Sequence, residues 1–191
     1  ALKAGISPQV VLENALIPAM EKVGKKFSEN KIFVPQMLMS ARAMGAAMLI
    51  LKPFFTSGEI KTKGTFIIGT VKGDLHDIGK NLVAMMVEGA GWKVIDLGND
   101  ITPKEFVDAA IFHKATIIGA SAMMFTTAQN IKKLRIEIDQ RGLKGKIKLA
   151  AGGAVFKARP ELVAEVGGDG TAANAVDVPA LFDKLHKEVV E

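Results

Sequence analysis

The chain changes its periodicity near residue 60. Up to there, apolar residues recur at helical spacing. Leu12, Leu16, Met20, Val23 and Phe27 fall three and four apart behind Ser7-Pro8, a capping residue followed by a first-turn proline. Pro18 lies inside that stripe and is expected to kink the helix or split it. The polar turn Ser28-Glu29-Asn30-Lys31 and then Phe33-Val34-Pro35 lead to a second helix from about Gln36 to Leu51. That helix carries Met37, Ala41, Met44, Met48 and Leu51 on one face, with Pro53 as its stop. Residues 56–63 read as a linker and a hinge. From residue 64 on, short apolar runs alternate with amphipathic stretches. Strands are predicted at 64–70, 92–97, 115–121 and 146–152, with a weak fifth around 168–171. Helices are predicted at about 77–90, 103–113, 127–141, 160–166 and 174–190. Such alternation with short connections implies a parallel sheet covered on both faces. The expected fold is α/β: a helical module over 1–56, then a doubly wound, flavodoxin-like or Rossmann-like parallel sheet of about five strands over 64–191.

Composition narrows the chemistry more than the fold. With 191 residues, 49% hydrophobic and 24% charged, there is material for one domain and a small extra module. No apolar run reaches the roughly 18–20 residues of a membrane span and none reads as a signal peptide, so a cytoplasmic protein without a membrane partner is expected. The chain opens on Ala1 part-way into a helical pattern, and a first helix of the module is expected to precede it. Cysteine is absent, which removes disulfides, thiolate metal sites and cysteine nucleophiles. The histidines are three: His76, His113 and His186. The net charge of +5 is modest, and Lys22, Lys25, Lys26 and Lys31 interleave with Glu21 and Glu29. That is a solvated helix face rather than a nucleic-acid footprint, so no nucleic-acid partner is expected.

In a doubly wound sheet, ligands bind at the carboxyl ends of the strands. The loops there read VKGDLHDIGKN, SAMMFTT, GGAV and GGDGTA. The first admits several chemistries. As a phosphate loop its register fails, because Asn81 follows Gly79-Lys80 where Ser or Thr should hold magnesium. As the start of a binuclear metallophosphatase site it lacks further ligands, since His113 and His186 lie in predicted helices. As a single axial ligand, His76 would serve a metal whose other ligands arrive with a cofactor. Asp74 could then accept a hydrogen bond from the second ring nitrogen, and Gly79 could let the backbone approach a bulky ligand. A structural loop in which His76 pairs with Asp74 or Asp77 fits the same residues.

Asp74-x-His76-x-x-Gly79 after the first strand, Ser121 after the third and Gly152-Gly153 after the fourth form an ordered set that resembles cobalamin-binding domains. The segment VGKKFSENKIFVPQMLMSARAMGAAM resembles the helical cap of methylcobalamin-dependent proteins. Together the likeness covers nearly the whole chain. It is to the corrinoid proteins of bacterial and archaeal methyltransferase systems, and to the cap plus cobalamin-binding module of cobalamin-dependent methionine synthase. Mutase-type cobalamin domains share the first motif but lack the cap.

The resemblance implies a cobalamin cofactor, methylcobalamin or a related corrinoid, with His76 displacing the benzimidazole to bind cobalt from below. Asp74 would hold the distal nitrogen of that ring. Ser121 would meet the nucleotide tail, Thr127 would stand near the Asp–His pair, and Gly152 and Gly153 would leave space beside the tail. Met123 stands where the family usually has Leu. Gly168 and Asp169 belong to a segment similar to the family's final loop, with Thr171 in place of the more usual Tyr. Phe27 and Val34 would shield the upper face, Val34 replacing a more usual Leu.

The implied function is that of a methyl carrier. It would accept a methyl group on Co(I) from a substrate-specific methyltransferase. It would pass the group from methyl-Co(III) to a second, methylcorrinoid:acceptor methyltransferase using tetrahydrofolate or a thiol, with a reductive activase as a further partner. The chain has no room for a substrate-binding barrel of ~250 residues, which makes it a component of a methyltransferase system rather than a complete enzyme. Two other readings stand beside this one. A fragment of methionine synthase is one, against which the closing helix LFDKLHKEVVE reads as a true terminus. A cobalamin-based regulatory sensor is the other, and it would attach a basic helix-turn-helix module that the sequence does not show.

Overall fold

Ser7 caps the first helix, α1 (Pro8–Val11), by accepting a hydrogen bond from the Val10 N–H at 3.3 Å. The computed structural model describes residues 1–56 and 61–190. Residues 57–60 of the expected linker and hinge lie outside the described residues. The stripe behind α1 stays helical through Pro18 but changes type just before it. Residues Leu12–Leu16 form one π turn in which the Ile17 N–H reaches back to the Leu12 carbonyl, and α2 (Ile17–Ser28) follows without a break. The wider turn falls just before the residue that has no N–H to give, so the missing bond is absorbed locally.

Helix α3 (Val34–Thr56) is longer than its pattern suggests at both ends. Pro35 sits in the first turn, where no N–H is needed. Pro53 lies inside the helix instead of ending it. The bond it forgoes belongs to the carbonyl of Leu49, an exposed residue that water can reach. The 18-residue stretch Val34–Leu51 is also long and apolar enough to cross a membrane by length and composition, contrary to the expectation from apolar runs. Its Met37, Ala41, Met44, Met48 and Leu51 face is nevertheless buried. Met37, Met44, Met48 and Leu51 cluster with Leu12, Met20 and Met86, the last from the α/β domain.

The sheet comprises β1 (Thr65–Thr70), β2 (Lys93–Asp96), β3 (Ile117–Ser121) and β4 (Lys148–Gly152), all parallel, in the order β2-β1-β3-β4. The central β1 and β3 are near-continuous apolar runs because helices cover both faces. On one face α5 (Pro103–Phe112) and α6 (Phe125–Gln140) bury Phe106, Ile131 and Leu134 against Ile67 and Ile118. On the other, α4 (Ile78–Gly89) and α9 (Val178–Val190) bury Val87, Phe182 and Leu185 against Phe66 and Ile117.

The expected fifth strand is reduced to one bridge between Gly170 and Ala150, so the sheet has four strands and not five. Two short helices, α7 (Ala154–Ala158) and α8 (Leu162–Glu165), follow β4. The first had no predicted counterpart, being only five residues long. In register, Thr70 pairs with Ser121 and Ser121 with Gly152. The chain-reversing loops after β1, β3 and β4 therefore open at one level.

Candidate functional site

The loop after β1 carries the site. Asp74 is buried while the side chain of His76 is 57% exposed, so one residue is fixed and the other presented. Nδ1 of His76 lies 2.7 Å from Oδ1 of Asp74, which also accepts the His76 N–H at 3.1 Å. Oδ2 of Asp74 accepts the Met123 N–H and the Thr127 hydroxyl, both at 2.7 Å. The single hydroxyl proton of Thr127 has a second acceptor within reach, the Met124 carbonyl at 3.0 Å, and the nearer charged carboxylate is the stronger of the two.

Burial would push the Asp74 carboxyl up. The hydrogen bonds from Met123, Thr127 and His76 outweigh it and bring the pKa down to about 2. An ionised Asp74 can only accept, so His76 carries its proton on Nδ1 and turns the lone pair of Nε2 outward. Nε2 has no partner among the described residues.

The loop is clamped from the other side as well. The Asp100 carboxylate accepts the Gly73 N–H at 2.7 Å and pairs with Lys72 at 2.6 Å, and Asn130 donates to the Lys72 carbonyl at 2.7 Å. Exposed apolar side chains stand on the two loops joined here: Leu75 and Ile78 flank His76 in sequence, and Met123, Met124 and Phe125 follow β3, where the Met123 N–H reaches Asp74. Such residues at a strand-end cleft mark a surface built to be covered.

Beside this rim a cavity of about 340 Å³ runs between the sheet and α9. Phe66, Ile68, Val178 and Phe182 line its depth, and Ser121, Gly152, Gly153 and Asn174 its upper part. A Cβ on Gly152 would meet nothing within 4 Å, so the missing side chain leaves space in the cavity itself. Gly153 is different: at φ 114° its Cβ would lie 2.0 Å from the Ala122 carbonyl oxygen. There the glycine lets two strand-end loops touch.

The residues singled out in the sequence divide accordingly. Asp74, His76, Thr127 and the main chain of Met123 form one hydrogen-bonded group. Gly79, Ser121, Gly152, Gly153 and Phe27 line the cavity. Gly168 and Asp169 do not join them. The Asp169 carboxylate accepts the Leu149 N–H and pairs with Arg135, closing the outer edge of β4. Val34 is exposed at the start of α3, outside the cavity lining. His113 caps α5, and His186 meets Thr116 at 2.8 Å.

Several site residues carried no signal of their own in the sequence. Leu75, Ile78, Met124 and Phe125 read as ordinary apolar positions, Thr70 as a strand end, and Lys80 only as part of the rejected phosphate loop. What could have found Thr70 is a hydroxyl closing an otherwise apolar central strand, at the end where ligands bind.

No group of three or more metal-binding side chains occurs among the described residues, which leaves the single-ligand reading of His76 against a binuclear site. Two family comparisons decide the matter. A B12 binding domain matches residues 64–179, and a second B12 binding domain matches residues 1–52. The chain belongs to the B12-binding family.

This B12-binding chain is 37% identical to trimethylamine corrinoid protein 1 of Methanosarcina mazei over 180 residues, 93% of its own length and 82% of the relative's. It is 36% identical to the dimethylamine corrinoid protein of Methanosarcina barkeri over 184 residues, 96% and 85% of the two. Among solved structures, the methanol:cobalamin methyltransferase complex MtaBC from Methanosarcina barkeri matches with a TM-score of 0.83 at 32% identity, over 97% of this chain and 70% of that one. A cobalamin-binding protein from Desulfitobacterium hafniense matches with a TM-score of 0.77 at 27% identity, over 96% and 86%.

The cofactor of the family fits the residues present. A corrinoid would need a donor from the protein, and the exposed imidazole of His76, held through Nδ1 by Asp74, is a residue that could offer one. Exposed apolar side chains on the neighbouring loops and a cavity lined by small residues would suit a large, partly apolar cofactor. The protein is thus a B12-binding module in which a helical cap packs on a four-stranded parallel domain.

Proposed function

We propose that the protein is a methyl carrier of a corrinoid-dependent methyltransferase system. The observation that carries the reading is the combination of an exposed His76, its Nε2 free and its Nδ1 held by ionised Asp74, with relatives along nearly the whole chain that are corrinoid proteins for methylamines. When bound, the corrinoid supplies a cobalt that can take up and release a methyl group.

The chain's own residues prepare it. Asp74 fixes the tautomer of His76 and raises the basicity of Nε2, and Thr127 and Met123 keep Asp74 ionised. Phe27, from the N-terminal helices, lines the cavity together with Gly79 and keeps water from that part of it. Ser121 and Gly152 receive the nucleotide tail.

Catalysis lies with partners: a methyltransferase for a small methylated amine or alcohol, a second methyltransferase for the acceptor, and an activase that returns oxidised cobalt to service. All of these act in the cytoplasm. Neither the methionine synthase fragment nor the sensor is favoured, because the relatives aligned over nearly the whole chain are methylamine corrinoid proteins.

The test is spin resonance of the Co(II) form. Nitrogen coupling should change when histidine is isotope-labelled and stay fixed when benzimidazole is labelled. Coupling that follows the benzimidazole would remove His76 from the metal.

A further inference from the structure

Thr70 and Lys80 stand outside the Asp74–Thr127 group, yet both are buried and both lead to His76. Thr70, the last residue of β1, donates its hydroxyl to the main-chain carbonyl of His76 at 3.1 Å. Its own N–H goes to the Gly98 carbonyl at 2.9 Å. Gly98 returns its N–H to Oδ1 of Asp96 at 2.8 Å. Asp96 in turn holds the Lys80 ammonium at 2.7 and 2.5 Å. Lys80 lies four residues beyond His76, in the first turn of α4, so the chain itself closes the circuit.

A cation there is opposed by the helix dipole, and burying it costs more. It is tolerated because Asp96 and the side-chain carbonyl of Asn81, at 2.6 Å, satisfy it. Packing does little for the same stretch of backbone, since the flanking Leu75 and Ile78 are 70% and 78% exposed.

Resting on His76 as the cobalt ligand, we propose that Thr70 and Lys80 are positioning residues that fix the main chain of His76, a brace separate from the one that fixes its ring. Asp74 governs the tautomer and rotation of the imidazole and accepts the His76 N–H, leaving the His76 carbonyl to Thr70. Thr70, steadied through Gly98, Asp96 and Lys80, governs where the backbone carrying it sits, and so how far Nε2 stands out from the sheet.

Thr70→Val replaces the hydroxyl by a methyl of equal size, Thr70→Ser keeps it, and Lys80→Met removes the far anchor. Each is loaded with cobalamin and reduced to Co(II), and the ratio of histidine-ligated to unligated cobalt is read from the nitrogen coupling. Thr70→Val should lower the ratio roughly fivefold, the effect of one hydrogen bond, and Lys80→Met should lower it too. Thr70→Ser should keep it within about twofold. In the cobalamin-free proteins, nitrogen-15 relaxation should show the His76 amide loosened in the valine and methionine variants only.

An unchanged ratio and an unchanged amide in Thr70→Val overturn the proposal, as does an equal loss in Thr70→Ser, which would make the effect one of packing. If Thr70→Val fails to fold, Lys80→Met decides: wild-type ligation and amide order there overturn the brace. A wild-type protein without histidine coupling would sink the ligand reading instead, and the amide measurements would still judge the brace by itself.

Discussion

Gly152 and Gly153 are adjacent, and the physics that requires each is different. A Cβ on Gly152 projects into open space in the cavity, whereas one on Gly153 strikes the Ala122 carbonyl at 2.0 Å with the backbone at φ 114°. Gly152→Ala should therefore leave the cofactor-free protein within about 0.5 kcal/mol of wild type and weaken corrinoid binding about tenfold. Gly153→Ala should cost about 3 kcal/mol or more of stability before any ligand is added. Chemical denaturation and corrinoid titration of the two variants separate these effects; equal behaviour would refute the distinction.

Asp74 gives a pH prediction at the same scale. Its folded pKa of about 2 lies below the ordinary 3.8, so its contribution to stability is complete above that ordinary value and is lost as pH falls towards about 2. Asp74→Asn should flatten the acid side of the cofactor-free protein's stability profile across that window. A profile as steep as wild type would mean that the carboxylate is not held as described. The Asp74–His76 pair was legible in the sequence because it is local, two residues within one loop. The contacts of Thr70 and Lys80 were not, because they depend on how β1 and β2 bring Gly98 and Asp96 alongside.

At the level of elements, the cap and the α/β domain meet through α4. Met86 joins the methionine cluster of α2 and α3, and Gly89 leaves room for Met20, whose Cγ would lie 3.2 Å from an added Cβ. Phe27 extends this contact to the cavity, which it lines together with Met37. Phe27→Ala should speed photolysis of the protein loaded with methylcobalamin while corrinoid affinity stays nearly intact, since the apolar rim and His76 are untouched. An unchanged photolysis rate would make Phe27 a packing residue of the cap and nothing more.

The same elements show what pattern reading can and cannot reach. The strands and α4, α5 and α6 were legible because continuous apolar runs and amphipathic stretches leave few alternatives for a parallel sheet. Prolines were harder. Pro18 and Pro53 both read as breaks, yet the chain stays helical through each, with a π turn before the first and exposed Leu49 one turn before the second. The expected strand at 168–171 is only begun: the Asp169 N–H donates to the Leu149 carbonyl and the Gly170 carbonyl accepts the Ala151 N–H, a single parallel bridge to β4 that is not extended.

At the scale of the whole molecule, the protein should turn over no methyl donor by itself. Removing a methyl group from an amine or alcohol requires activation of the leaving group, usually by an acid or a metal. The described residues present one exposed histidine at the strand-end cleft, and its proton is committed to Asp74. His113 caps the C-terminal end of α5 and His186 lies on α9, the second bound to Thr116. The cavity near this loop is lined mostly by apolar side chains and glycines, with Lys80 and Lys157 as its charged members, and Lys80 is already engaged by Asp96 and Asn81. Reduced, corrinoid-loaded protein mixed with trimethylamine, dimethylamine or methanol should accordingly show no change in its cobalt absorbance. Adding a methyltransferase specific for one of these should start the reaction. Reaction with a methyl halide decides nothing, because free reduced cobalamin undergoes it as well. Steady methylation from an amine or alcohol without a partner would make this chain an enzyme in its own right. Failure with every partner would deny it the carrier role while leaving the B12 site intact.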